Sequence, residues 1–124
     1  MIYVIDHKDS FTHNVVHQLS LFDEVECDNY NNVDKIKLNK AKVIVFSPGP
    51  GNPKNYPLTS KIYNQFKGKK KIIGICLGFQ QILFCEGAQI VEQNKIYHGY
   101  QSNIKVNSKN SLFKKNQIFK VGRY

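Results

Sequence analysis

Three short apolar runs, Ile2-Tyr3-Val4-Ile5, Val43-Ile44-Val45-Phe46 and Ile72-Ile73-Gly74-Ile75, each end at a turn and give way to a segment of helical spacing. Continuous β-branched and aromatic runs of this kind suit strands buried on both faces, and strands that alternate with helices imply a parallel sheet. After the first run, Phe11, Val15, Val16, Leu19 and Phe22 form one apolar stripe, which predicts a helix capped by Asp9 or Ser10 and running to about Leu21. Val25 to Cys27 reads as a short strand, Asn29 to Asn32 as a polar connection, and Ile36 with Leu38 as a short helix. Leu58, Ile62 and Phe66 recur every fourth position behind Pro57, which a first helical turn tolerates. Leu77 to Cys85 is a strongly apolar helix that Gly87 terminates. The expected architecture is α/β, a doubly wound and mainly parallel sheet with helices on both faces. Beyond Gln89 the pattern changes, and Ile90-Val91, Lys95 to Tyr97, Asn103 to Val106 and Gln117 to Val121 read as short strands and turns.

At 124 residues, with 41% apolar and 22% charged side chains, the chain has the size and composition of one globular domain. No apolar run approaches the roughly 18 residues of a membrane-spanning helix. The opening Met1 to Asp6 lacks the basic region of a signal peptide, so the expected compartment is the cytoplasm, with no membrane partner. Three cysteines, Cys27, Cys76 and Cys85, are an odd number without Cys-x-x-Cys spacing, which argues against a disulfide framework and a zinc site. No residue cluster suggests a metal or organic cofactor.

The net charge of +9 is unevenly spread. Residues 1–34 hold seven acids and one lysine, a balance of −6, whereas residues 35–124 hold seventeen bases and two acids, a balance of +15. The lysines are mostly isolated and no aromatic-interleaved stripe accompanies them, so a solvated basic surface is expected, not a nucleic-acid site.

Chemistry concentrates in Gly74-Ile75-Cys76-Leu77-Gly78, a Gly-x-Cys-x-Gly between a strand and an apolar helix. That is the thiol form of the nucleophile elbow, where flanking glycines permit a tight turn with the nucleophile at its apex. The helix N-terminus favours a thiolate there, and the amide of Leu77 is free to face an oxyanion. A buried cysteine between glycines used for close packing is the alternative these five residues leave open. Cys27 and Cys85 lack the elbow and read as small buried hydrophobes. The second segment, Ser47-Pro48-Gly49-Pro50-Gly51-Asn52-Pro53, is stiff and offers few amide donors. Both segments lie at the carboxyl ends of strands, the edge where such sheets bind ligands.

Together these segments resemble the class I (triad) glutamine amidotransferases, most closely the small subunits of anthranilate synthase and aminodeoxychorismate synthase. The resemblance opens at Ile5-Asp6-His7-Lys8-Asp9-Ser10-Phe11-Thr12-His13-Asn14 and passes through Ser47 to Gly51, Gly74 to Gln80, and His98-Gly99. It closes at Val121-Gly122-Arg123-Tyr124. It implies a flavodoxin-like fold, with residues 1–124 as the N-terminal part of a single amidotransferase domain whose sheet is incomplete at the C-terminus. By the same resemblance, Cys76 attacks glutamine to form a thioester. Leu77 and a glycine of Gly49-Pro50-Gly51 hold the oxyanion, Gln80 contacts the bound glutamine, and ammonia passes to the chorismate-using subunit of a synthase.

The family's triad histidine and glutamate lie downstream of the Gly-Arg-Tyr segment, so the resemblance implies that both are absent from these residues and that the chain is poorly active alone. Of the four histidines, none takes the family's base position, and His98 is expected to be structural or interfacial. Two other readings share the strand and helix order. A noncatalytic receiver-like module would need an acid where Ser47 stands, and another cysteine-elbow hydrolase would leave the proline-glycine loop unexplained.

Overall fold

In the computed structural model, which describes residues 1–109 and 112–123, the first apolar run becomes strand β1 (Ile2–Asp6), paired on both sides. Strands β2 (Val25–Asn29), β3 (Val43–Phe46) and β4 (Lys71–Gly74) complete a four-stranded sheet in the order β2-β1-β3-β4. All its pairings are parallel, with Val4 beside both Cys27 and Val45, and Val45 beside Ile73. The sheet lies within a first unit, Met1–Ile90, and a second unit spans Val91–Tyr124.

The period-2 alternation of the strands divides the core between two faces. On one, helix α1 (Thr12–Ser20) lays Val15, Val16 and Leu19 against Ile2, Val4 and Val45. On the other, Tyr3, Ile5, Ile44 and Phe46 meet Leu38 from α2 (Lys35–Lys40), Ile62 and Phe66 from α3 (Pro57–Phe66), and Ile82 from α4 (Leu77–Cys85). Helices therefore cover both faces, as expected. The short α2 is held by Asp34, whose carboxylate accepts the amides of Ile36 and Lys37. Next to it, the Tyr3 hydroxyl donates to Asp28 Oδ2 at 2.7 Å and accepts from the Asp34 amide, and burial with the Asp28 bond pushes its phenol above the usual range.

Several boundaries differ from the sequence expectation. Strand β2 runs on to Asn29 because β1 continues to pair it through Asp6. Helix α1 begins at Thr12, and Asp9 accepts the Phe11 amide in the turn before it, so neither Asp9 nor Ser10 caps the helix. Strand β4 starts at Lys71 and, among the described residues, pairs with β3 alone, and Ile73 is 47% exposed where a core strand was expected.

Ile90, the last residue of the first unit, and, in the second unit, Val91 and Lys95 to Tyr97 form no strand. Among the described residues one antiparallel pair is present, β5 (Tyr100–Lys105) with β6 (Ile118–Arg123), in a register that sets Ile104 opposite Phe119. Arg123 lies 3.9 Å over the Tyr97 ring and donates to Gln93, so side-chain contacts tether the segment expected to be extended. Tyr124, the last residue of the Gly-Arg-Tyr segment, lies outside the described residues. Among the described residues no helix is long and apolar enough to cross a membrane.

Candidate active site

The chain leaves β4 and enters α4 by way of Cys76, whose backbone has φ 51° and ψ −109°. Such a conformation costs a non-glycine residue about 1–3 kcal/mol and persists only where the surroundings impose it. Here they do. The Ile75 amide donates to the Phe46 carbonyl, the Gly78 amide to Ile75, and the Gln80 amide to Cys76. Two close backbone approaches complete the elbow: a methyl group at Gly78 would sit 2.2 Å from the Phe46 carbonyl oxygen, and one at Gly74 would sit 2.4 Å from the Gly78 carbonyl carbon. Cys76 is exposed at the apex, whereas Cys27 and Cys85 are half-buried. Burial, with smaller contributions from Asp6 and Asp28, pushes the Cys27 thiol up to about 11, which suppresses its thiolate.

At the start of α4 the Leu77 amide has no acceptor among the described residues, the usual state of an amide in a first helical turn. Its side chain is buried against the loop that follows β3: a methyl group at Gly49 would meet Leu77 Cδ2 at 2.6 Å and His7 Cβ at 2.5 Å. Gly49 is therefore obliged to be glycine by contact with both neighbours. The loop is fixed at both ends. Ser47 Oγ donates to the Pro48 carbonyl at 2.6 Å, and the Tyr56 hydroxyl donates to the Pro50 carbonyl at 2.8 Å. Gly51, at φ 77°, has only Asn55 near its would-be side chain, and Asn52 and Asn55 cap each other around a single 3-10 turn, Pro53–Asn55.

Beneath the loop lies His7, fully buried at the end of β1. Its Nε2 is 2.9 Å from Thr59 Oγ1 and its Nδ1 is 3.3 Å from Ser47 Oγ. The ring stands edge-on to Tyr56 at 4.8 Å. Burial holds the imidazole neutral, down to about 4, against smaller opposing effects of Ser47 and Asp6. With both ring nitrogens occupied, His7 is not free to act as a base toward Cys76.

The structure thus brings Gly49 to Leu77 and sets Cys76 beside it in the chain, while Gly51 faces Asn55. Pro50 is exposed along a loop that it anchors through its carbonyl; Gln80 is half-buried one turn into α4. His98 belongs to the second unit. His7, Ser47, Tyr56 and Thr59 were not legible as site supports, since they lie up to 52 positions apart. The one available signal was a histidine directly after a buried strand. Among the described residues no group of three His, Cys, Asp or Glu side chains is placed to hold a metal ion.

Comparison with known proteins adds four findings. The model of the family glutamine amidotransferase class-I matches residues 3–124. The chain is 36% identical over 118 residues to anthranilate synthase component 2 of Lactococcus lactis, covering 91% of this chain and 58% of that protein. It is 33% identical over 112 residues to the aminodeoxychorismate/anthranilate synthase component 2 of Bacillus subtilis, again with 58% of that protein covered. The chain thus spans little more than half the length of these relatives. Among solved structures, a GMP synthase-type protein from Thermoplasma acidophilum superposes with a TM-score of 0.70 at 24% identity over 85% of this chain and 53% of that one, a likeness of fold.

Proposed function

Because the chain belongs to the class-I glutamine amidotransferase family, we propose that residues 1–124 are the N-terminal part of an amidotransferase domain that binds glutamine and carries the nucleophile of its hydrolysis. The observation that supports this most is the exposed Cys76 at φ 51°, with the Leu77 amide unpaired and Gly49 packed against the Leu77 side chain.

The Cys76 thiolate adds to the side-chain amide carbon of glutamine, forming a carbon–sulfur bond and pushing the carbonyl π electrons onto oxygen. That oxyanion is held by the Leu77 amide, with the α4 N-terminus behind it, and by a glycine amide of the loop, for which Gly49 is the better placed of the two glycines. As the oxyanion collapses, the carbon–nitrogen bond breaks. The nitrogen takes a proton and leaves as ammonia, and water then cleaves the thioester to give glutamate and the free thiol. Gln80 is proposed to touch the bound glutamine.

Proton transfer to the leaving nitrogen needs a general acid, a contribution of about 10²–10⁴-fold. His7 is committed elsewhere, and the family resemblance implies a triad histidine and glutamate downstream of the Gly122-Arg123-Tyr124 segment. We therefore assign the acid and its carboxylate partner to no residue of this sequence, and expect these 124 residues to turn over glutamine poorly by themselves. The names of the relatives, components of anthranilate and aminodeoxychorismate synthases, support a chorismate-using synthase as the partner that receives the ammonia.

The test is covalent. A chloroketone analogue of L-glutamine should modify Cys76 once per chain, with L-glutamine protecting and Cys76→Ala abolishing the adduct. Equal modification of Cys27 and Cys85, or no protection by glutamine, would overturn the proposal.

A further inference from the structure

His7 is fully buried, makes no contact assigned to the chemistry of Cys76, and yet touches both ends of the loop that carries Gly49. At the front end, its backbone amide donates to Ser47 Oγ at 2.9 Å and its Nδ1 approaches the same oxygen. At the back end, its ring packs edge-on against Tyr56, whose hydroxyl holds the Pro50 carbonyl. Its own Cβ and carbonyl form the floor on which Gly49 rests.

The proton count determines which ring nitrogen does what. Ser47 Oγ has one hydrogen, and it is spent on the Pro48 carbonyl. The bond between Nδ1 and Ser47 therefore requires Nδ1 to carry the proton and donate it. Nε2 is then bare and accepts from the Thr59 hydroxyl on α3. In this tautomer the ring is a strut from the end of β3 to α3, with the loop stretched over it. A side chain without ring nitrogens would leave the buried Thr59 hydroxyl without this acceptor and would take from Ser47 one of its three hydrogen bonds, the others being to the Pro48 carbonyl and from the His7 amide.

We infer that His7 is a positioning residue of the amidotransferase site, its neutral Nδ1-protonated ring fixing the height of the Ser47–Gly51 loop so that Gly49 stays against Leu77 where the oxyanion forms. This rests on the glutamine-binding function proposed above.

The experiment compares two alkylating reagents on the full chain, read at Cys76 by peptide mass mapping. The glutamine chloroketone places a ketone oxygen where the oxyanion would sit as sulfur bonds to the chloromethyl carbon and chloride leaves. Iodoacetamide alkylates the same sulfur with loss of iodide and takes no advantage of the loop. His7→Leu should lower the chloroketone rate by about tenfold, a fraction of the roughly 10²-fold or more lost when an oxyanion donor is removed outright. Its iodoacetamide rate should stay within about twofold, since the sulfur itself is untouched. His7→Asn, whose amide can again donate to Ser47, should recover part of the loss. Should His7→Leu fail to fold, Thr59→Val, which removes only the hydroxyl facing Nε2, should still slow the chloroketone selectively. A folded His7→Leu or Thr59→Val with an unchanged ratio of the two rates would overturn the inference, and so would equal slowing of both reagents. A wild-type chain that does not distinguish the L from the D chloroketone would instead overturn the glutamine-binding function itself, and this inference with it.

Discussion

Gly78→Ala is the sharpest probe of how the elbow is built. The added methyl group would lie 2.2 Å from the Phe46 carbonyl oxygen and 2.7 Å from the Phe46 carbonyl carbon, more than about 1 Å inside ordinary contact. These are backbone atoms at the end of β3, and no side chain can swing aside to admit the methyl. Relief requires the first turn of α4 to move away from the sheet. Overpacking of this kind costs about 1–3 kcal/mol, and a rigid obstacle places it at the upper end. The better helix propensity of alanine returns up to about 1 kcal/mol, so a net loss of about 2 kcal/mol is expected. For a unit of this size that lowers the melting temperature by about 8–16 °C. Gly68→Ala is the control, because Gly68 has φ 74° and nothing within 4 Å, so its cost is the backbone penalty alone, about 1–2 kcal/mol. The discriminating readout is the site: Gly78→Ala should slow chloroketone labelling of Cys76 as α4 shifts, and Gly68→Ala should not. Urea or thermal unfolding monitored by circular dichroism, with labelling of the same samples, tests both parts. A Gly78→Ala chain with wild-type stability and labelling would refute the claim that α4 is pressed onto the Phe46 backbone.

Acid should weaken the fold through His7. Its folded value near 4 lies below the 6.5 of a free histidine, so the unfolded chain binds more protons between these limits. The contribution is complete above about pH 6.5 and is lost as pH falls toward 4, by up to about 3 kcal/mol. The hydrogen bond with Ser47 and the charge of Asp6 oppose this in part, and the rings of Tyr30 and Tyr56 pack against the imidazole. Unfolding curves at pH 7 and pH 5 should therefore diverge for wild type and much less for His7→Gln, and equal pH slopes would refute the burial of a neutral ring. Tyr3→Phe should cost about 1–3 kcal/mol, because it strands the Asp28 carboxylate and the Asp34 amide; a change below about 0.5 kcal/mol, on the order of surface substitutions, would argue against that network. Asp34→Ala should cost about 1 kcal/mol by removing the cap of α2, measured by the urea midpoint, and no change would mean that packing of Leu38 alone holds the helix.

Much of the architecture is written in local pattern. The β-branched runs specify β1 and β3, the apolar stripe from Val15 to Leu19 specifies the buried face of α1, and two glycines around Cys76 specify the strand-to-helix turn. Each rests on neighbours within a few residues, where periodicity and steric limits act directly. The proline-glycine loop after β3 was legible for the same reason, as were the short α2 and the Pro57 start of α3.

What tertiary structure alone decided involves partners far apart in the chain. Ile72-Ile73 looks like a core strand, but burial depends on what the fold lays beside and over it; among the described residues β4 pairs with β3 alone, and Ile73 is exposed. Lys95 to Tyr97 has strand-like alternation, yet it is tethered through Gln93 and Tyr97 to Arg123 and pairs with no strand. Above all, no pattern around His7 announces that its ring reaches Ser47 and Thr59, 40 and 52 residues away, beneath the loop that Gly49 occupies. Residues one to a few positions apart meet in almost any fold with the same elements, so sequence alone determined the elbow and the loop. Only the stacking of β1, β3 and α3 put a buried histidine beneath the loop, because hydrogen bonds across such distances in the chain exist only once the sheet order has closed.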